Sequence, residues 1–344
     1  MRSSASENAA CYNADKQGGQ GMANIREIAK LANVSVSTVS RVLNKHPYVA
    51  EEKRLAVMQA IEKLDYIQNI NAVHLSRGKT KTVGVMLPYV NHPYFSSLLE
   101  GIGEEALKHE YGLHLFQTAY DPDKEIEALA KMKMRMVDGM IILSRKSSWS
   151  KMEEYCLSMP AVICEKLDHP SVSAVFIDHY KAFRQGLDHL LSKGYRRIGY
   201  CIARRTGTNS NLRYQAFSEG LAEQNIAVTE DWIFDRCLGI EDGERVARQL
   251  YGMAERPDAL LVSSDQVAAG IIAEWSKLGL RIPGDLAVLS FDNHPISRAL
   301  QITTMDLPVN EMGKTAFRLF LERLTSGQVK QMEAEAALIE RKTV

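Results

Sequence analysis

From residue 82 onward the chain repeats one pattern: an apolar run of strand length, a polar turn, then an amphipathic stretch of helical length. The runs are TVGVMLP, LHLFQTA, VDGMIIL, PAVICE, SAVFID, RIGYCIA, DWIFDRC, ALLVSS and LAVLSFD. A strand that is apolar on both faces has to be covered on both, and the alternating helices supply the cover. The pattern therefore predicts parallel sheets flanked by helices, an α/β core. The strands are too numerous for one compact sheet. At 344 residues and 45% hydrophobic, the chain can bury such a core and still form another domain.

The segment before it follows a different rule. NIREIAKLANVSVSTVSRVLN, residues 24 to 44, holds two short helical patterns separated by a tight turn. Asn24 is a good N-cap and Glu27 sits three residues later, the spacing of a capping box. Ile25, Ile28, Ala29 and Ala32 share one helical face. Asn33 lies where the chain turns, and Asn tolerates the left-handed backbone better than most residues. Ser35 starts the next helix, with Val39, Val42 and Leu43 facing inward. Val36, Ser37, Thr38 and Arg41 then project from its N-terminal end, where a recognition helix meets base edges and short side chains let the backbone approach. A third helix over about 51 to 64, with Leu55, Met58, Ile61 and Leu64 on one stripe, completes a small core. Ala50 offers this helix no side-chain cap, although Glu51 and Glu52 favour its N-terminus.

Charge agrees with that reading. The net formal charge is zero, yet residues 22 to 80 carry nine Lys/Arg against five Asp/Glu, a local excess of four. No apolar run approaches the roughly 18 residues that span a bilayer. Residues 1 to 21 are rich in Ser, Ala, Asn, Gln and Gly and lack the apolar centre of a signal peptide. They are expected to be a disordered extension, with Met22 an alternative start, and the protein is expected to be cytoplasmic. The five cysteines (Cys11, Cys156, Cys164, Cys201 and Cys237) are widely spaced without CxxC or Cys/His pairing, so neither disulfides nor a metal is indicated.

With YVAEEKR and NINAVHL following the two short helices, the chain resembles the LacI/GalR family of bacterial transcription regulators over essentially residues 23 to 343. It looks nearest to the catabolite control branch. The resemblance implies a helix-turn-helix domain over 22 to 67, a hinge over 68 to 80, and a two-lobed periplasmic-binding-protein-like core over 81 to 344. The lobes would run over about 82 to 180 with 308 to 325, and 181 to 307. It further implies that Ser35, Ser40 and Asn44 hold DNA phosphates, Val36, Ser37 and Thr38 read the major groove, and Arg41 contacts a base. Ala72 and Leu75 of the hinge would enter the minor groove, where an apolar wedge can bend the duplex. The implied partners are double-stranded operator DNA and a second copy of the chain, a homodimer matching a near-palindromic site. No cofactor is implied.

Ligands of open parallel sheets bind beyond the carboxyl ends of the strands, and two facing lobes make a closable cleft. The candidates there are Tyr89, Asn91, Tyr94, Phe95, Ser144, Arg145, Glu165, Ser264, Asp265 and Asp292, with Arg213 on a following helix. Of these, Tyr89, Tyr94, Phe95, Ser144, Glu165, Arg213, Ser264 and Asp292 are assigned to effector binding, since acceptors, hydroxyls and aromatic faces suit a sugar. Asp265 reads as a helix cap, and Asp292 as a ligand or lobe contact. Asn211 and Leu238 stand where sugar-binding relatives carry an arginine and an aromatic. A sugar-like metabolite and a serine-phosphorylated phosphocarrier protein therefore rank equally as effectors, the latter docking near Arg298.

Enzymatic readings find little footing. Gly101, Gly103 and Ala106 satisfy GxGxxA but lie within a helical run, not after a strand, which fails the context of a dinucleotide loop. There is no GxSxG, HExxH or GxxxxGKS/T. His92, His179 and His294 lie near strand ends without ligand partners at metal spacing, and read as surface or loop residues. A solute-binding receptor is the alternative, but it would have no use for the head.

Overall fold

The computed structural model describes residues 24–44, 46–66, 78–167 and 169–344. The expected extension over 1 to 21, Ala72, Leu75 and most of the expected hinge lie outside the described residues. The chain divides into two units, one ending at residue 76 and one beginning at residue 77.

In the small unit, helices α1 (Ile25–Leu31), α2 (Val36–Leu43) and α3 (Glu51–Lys63) close on one apolar cluster. Asn24 caps α1 in a capping box, its side chain accepting from the Arg26 and Glu27 amides at 2.9 and 3.2 Å while Glu27 accepts from the Asn24 amide at 3.0 Å. Asn33 takes the left-handed conformation, φ +49°, which lets the two helices meet across a short turn. Ile28, Ala29, Val39, Val42, Val57 and Ala60 are buried. The expected stripe on α3 needs correction, because Leu55 and Met58 are 55% and 54% exposed. Steps of three residues drift by about 60° each round an α-helix, so 55, 58, 61 and 64 cannot share one face. Val57, Ala60, Ile61 and Leu64 can, and these face the core. Ala50 gives α3 no side-chain cap, as its chemistry requires.

The large unit holds two six-stranded sheets. The first is ordered β11-β5-β4-β3-β1-β2 from strands β1 (Thr82–Leu87), β2 (Gly112–Gln117), β3 (Met140–Ile142), β4 (Ala161–Ile163), β5 (Ser173–Ile177) and β11 (Gln331–Ala334), all parallel. The second is ordered β12-β10-β9-β8-β6-β7 from β6 (Ile198–Cys201), β7 (Ile233–Phe234), β8 (Ala259–Val262), β9 (Ala287–Phe291), β10 (Thr303–Asp306) and β12 (Ala337–Ile339). Only β12 is antiparallel, against β10. Strands β10 to β12 are absent from the sequence reading. Polar residues break the apolar pattern of β10 and β11, β11 is largely exposed at a sheet edge, and β12 is an apolar run of only three residues.

Helices α4 (Pro93–Lys108), α5 (Pro122–Lys133), α6 (Trp149–Ser158) and α12 (Val309–Ser326) serve the first sheet, and α7 (His179–Ser192), α8 (Thr208–Glu223), α9 (Ile240–Tyr251) and α10 (Asp265–Lys277) the second. Successive strand residues feed opposite faces. Leu260 and Val262 join the cluster under α9 and α10, while Ala259 and Leu261 join the one under α7 and α8. The chain passes between the lobes three times, from β5 to α7, from β10 to α12, and from β11 to β12. Three backbone crossings thus join the lobes, the kind of connection about which hinge closure occurs.

Candidate functional site

Two surfaces carry the candidate residues, one on each unit. On the head, Ser35 caps α2, its Oγ accepting from the Thr38 amide at 3.2 Å and lying 2.7 Å from Ser37 Oγ and 2.9 Å from Thr38 Oγ1. The inner face of α2 is committed to the core through Val39 and Val42, so its outer face presents Val36, Ser37 and Arg41 to solvent, with Thr38 half-buried beside them. Asn44 donates to the Ser40 carbonyl at 2.8 Å and fixes the far end of the helix. Lys30 and Lys53, which the sequence reading left unassigned, line the same shallow groove as Ser35 and Thr38.

On the large unit a cleft opens between the lobes at the carboxyl ends of the strands. Tyr89 follows β1, Tyr120 follows β2 and Ser144 follows β3. From the second lobe come Ile202 to Arg204 after β6, Cys237 after β7, Ser263 and Ser264 after β8, and Asp292 after β9. Tyr94 and Phe95 enter from the first turn of α4, and His179, Asn209, Ser210 and Arg213 from the starts of α7 and α8. Of the eight residues assigned to effector binding, Tyr89, Tyr94, Phe95, Ser144, Arg213, Ser264 and Asp292 line this cleft. Asn91 does not, and is exposed.

Glu165 stands back from it, buried, neither rim residue nor lining. Its carboxylate accepts from Ser144 Oγ at 2.8 Å and lies 3.4 Å from Arg145 Nε. Burial outweighs these partners and holds its pKa above the ordinary carboxylate range. Glu165 thus positions Ser144, and Glu125 fixes the loop that follows by accepting from the Lys146 and Ser147 amides at 2.8 Å each.

Asp265 is not the helix cap. Ser264 caps α10, accepting from the Gln266 amide at 3.3 Å. Asp265 is fully buried and accepts from Ser290 Oγ, from Thr304 Oγ1 at 2.8 Å and from the His294 amide at 2.7 Å, tying the loop after β9 to β10. That loop runs through Asp292 and Asn293 at φ +106° and +50°, and its counterpart on the first lobe through Ala119 and Tyr120 at +51° and +59°. Backbone of this kind is strained for non-glycine residues and concentrates at binding sites. Burial first, then the Asp265 charge, pushes the Asp292 carboxyl well above its ordinary range.

The histidines also depart from expectation, since His92 and His179 line the cleft instead of the surface. Burial and then the Arg213 charge lower His92 to about 4 and His179 well below its ordinary value, so both imidazoles are neutral at pH 7. His92 Nδ1 and Asn209 Oδ1 are buried without hydrogen-bond partners. Orphaned polar atoms cost free energy unless water or another polar partner fills the space, so the cleft has hydrogen-bonding capacity to spare. Tyr120, Arg204, Asn209 and Ser210 are residues that reading the sequence missed. The rule that found Tyr89 and Ser144, a position just past a strand end, applies equally to Tyr120 and Arg204. Among the described residues no group of three or more His, Cys, Asp or Glu is placed to hold a metal ion, and no helix is long and apolar enough to cross a membrane.

Comparison with known proteins finds relatives of both units. Residues 24–69 match the family model for bacterial regulatory proteins of the lacI family, and residues 187–344 match that for a periplasmic binding protein-like domain. The uncharacterized HTH-type transcriptional regulator YkvZ of Bacillus subtilis is 44% identical over 323 residues, covering 94% of this chain and all of that one. Catabolite control protein B of the same organism is 39% identical, covering 88% of this chain and 95% of its own length. Among solved structures, the lac repressor dimer bound to operator and the anti-inducer ONPF superposes with a TM-score of 0.81 over 94% of this chain and 99% of that one, at 22% identity, a likeness of fold. A LacI family regulator from Lactobacillus casei with bound sucrose gives a TM-score of 0.71 at 28% identity, over 76% of this chain and 99% of that one. With a self-contained helix-turn-helix head, a two-lobed core and relatives alike from end to end, the chain belongs to the LacI family of bacterial transcriptional regulators.

Proposed function

We propose that this regulator binds operator DNA as a homodimer and that a small polyhydroxylated metabolite, held in the cleft between the lobes, sets its affinity for that DNA. One observation carries the DNA half of the reading: the outer face of α2 is exposed while its inner face is spent on the head's own core, so Val36, Ser37, Thr38 and Arg41 are free to enter a groove. One head covers a half-site, and a two-fold pair suits a near-palindromic site. The effector half draws on the orphaned polar atoms of the cleft and on the sucrose bound in the related regulator. A ligand favouring one lobe angle shifts the population of DNA-competent dimers.

The experiment is a randomised-site selection paired with salt titrations. Ser37→Ala should change base preference, worth about 1–3 kcal/mol at the affected position, while leaving the salt slope intact. Lys53→Ala should lower the slope by about 0.9 and weaken all sequences alike. An unchanged preference in the first variant would remove Ser37 from the reading face.

A second reading has its own observation. Arg298, in the last turn of the short helix α11 (Pro295–Ala299), is exposed, and no carboxylate of the described residues pairs with it. It would suit a phosphoserine on a serine-phosphorylated phosphocarrier protein. Calorimetric titration with the phosphorylated and unphosphorylated carrier decides this, and silence from both eliminates it.

A further inference from the structure

Among the described residues the cleft is lined by two guanidinium groups and one carboxyl group, and no ion pair joins them. Arg204 leaves the end of β6, and its guanidinium lies over the Tyr120 ring with Cζ 3.8 Å from the centroid. Gly207 lies close to the same guanidinium, where a Cβ would come within 2.8 Å of Arg204 Nη2. Arg213 reaches only the imidazole Nδ1 of His179, at 3.2 Å, and the Phe183 ring, at 5.4 Å. Among the described residues no carboxylate oxygen lies within 4 Å of either guanidinium. The neighbouring Arg205 shows the usual alternative, pairing outside the cleft with Asp235 at 3.1 Å and Glu230 at 3.2 Å.

Arg204 acts on Glu165 and Arg213 on Asp292 only beyond ion-pair distance. A cation taken partly out of water without a direct ion pair is costly, and a ligand that supplies one recovers that cost. The surroundings favour a negative guest. Ser210 and Ser263 are 5% and 8% exposed, both line the cleft, and neither hydroxyl has a partner among the described residues. Helix α8 begins beside Ser210 with Gly207 as its cap, so no side chain occupies its first amides. Among the described residues Asp292 is the only acidic one lining the cleft, and burial together with Asp265 outweighs the Arg213 charge in opposing its ionisation.

We propose that the effector is an anion, a sugar bearing a phosphate or a carboxylate, with its charged group held between Arg204 and Arg213 at the start of α8. The proposal rests on the reading of the cleft as the effector site and narrows it to a chemical class. Guanidinium forks match phosphate and carboxylate oxygens equally well, so the two sources are separated by the probes.

The test uses the full chain at constant ionic strength, titrated calorimetrically with glucose, glucose 6-phosphate, glucuronate and inorganic phosphate, with thermal unfolding midpoints as a second readout. Inorganic phosphate is included because it has no stereochemistry to mismatch. The expected result is that phosphate raises the midpoint and that at least one anionic sugar binds more tightly than glucose. Arg204→Gln should weaken that anion by at least about tenfold, and Arg204→Lys should restore part of the loss. Each variant is first shown to unfold at the wild-type midpoint without ligand.

A stronger response to glucose 6-phosphate assigns a phosphate, and to glucuronate a carboxylate. Glucose binding that Arg213→Gln abolishes, with the anions no better, would overturn the anion while keeping the cleft as the effector site. Silence from all four probes, or a phosphate effect untouched by both arginine substitutions, would overturn the anion and the cleft reading together.

Discussion

His92 shows how a single side chain ties the cleft to the stability of the lobes. It stands at the N-cap of α4, its ring 5.4 Å from that of Phe95, with Nδ1 buried and unpartnered. Burial and Arg213 lower its pKa to about 4, and those same two causes lower His179 well below its ordinary value. In the unfolded chain both titrate near 6.5. Between those values the unfolded state binds protons that the folded state refuses, so stability is full above pH 6.5 and is lost as the pH falls towards 4. Each such histidine contributes up to about 1.4 kcal/mol per pH unit within that window. Urea denaturation at pH 7, 6 and 5 should show this decline before most carboxylates titrate. His92→Gln should remove roughly one histidine's share of the slope between pH 6.5 and 5, and an unchanged slope would mean that His92 takes up its proton in the folded state.

At the scale of elements, the GxGxxA pattern in α4 proves to be packing. A Cβ on Gly101 would lie 2.0 Å from the Asn310 carbonyl oxygen, and one on Gly313 would lie 2.2 Å from that of Leu98, so α4 and α12 touch backbone to backbone. Gly103 is two residues away on another face, and its Cβ would meet only Leu113 Cδ1 at 3.8 Å. Gly101→Ala should therefore cost about 2–3 kcal/mol, because rigid backbone has to move. Gly103→Ala should gain up to about 1 kcal/mol from helix propensity alone, and equal effects in a denaturation series would refute the distinction. The same contrast explains what could be read without coordinates. Capping at Asn24, the turn at Asn33 and the apolar strands are local facts, decided by neighbours in sequence. The role of Gly101, the withdrawal of Glu165 behind Ser144 and the capture of Asp265 by Ser290 and Thr304 depend on partners 20 to more than 200 residues away. Arg204 and Tyr120 were within reach of the strand-end rule. Their stacking across the lobes was not, since nothing local pairs residue 120 with residue 204.

For the whole molecule, what matters is how a ligand beyond the carboxyl ends of the strands can act on the segment that leads into the large unit at their amino ends. Strand β1 spans that distance, six residues and about 20 Å, with Tyr89 just past its cleft end and Thr80 and Lys81 just before its start. Asp138 anchors that start. Its carboxylate accepts from the Thr80 amide at 2.6 Å, Thr80 Oγ1 at 2.9 Å, the Lys81 amide at 3.0 Å and the Tyr111 hydroxyl at 3.2 Å. A shift of the first lobe would thus carry Thr80 with it through these bonds. If the effector changes operator affinity by some factor, the operator must change effector affinity by that same factor. Anisotropy titrations of operator with and without effector, and calorimetric titrations of effector with and without operator, should return one number. Asp138→Asn keeps an acceptor for Thr80 but sacrifices the bonds at the other oxygen. It should leave effector affinity in the operator-free protein unchanged, because the site lies at the far end of β1, and shrink the coupling factor in both titrations. A variant that keeps the full factor would show that the signal reaches the amino-terminal segment by another path, and unequal factors in the unaltered protein would show that two equilibrium states do not suffice.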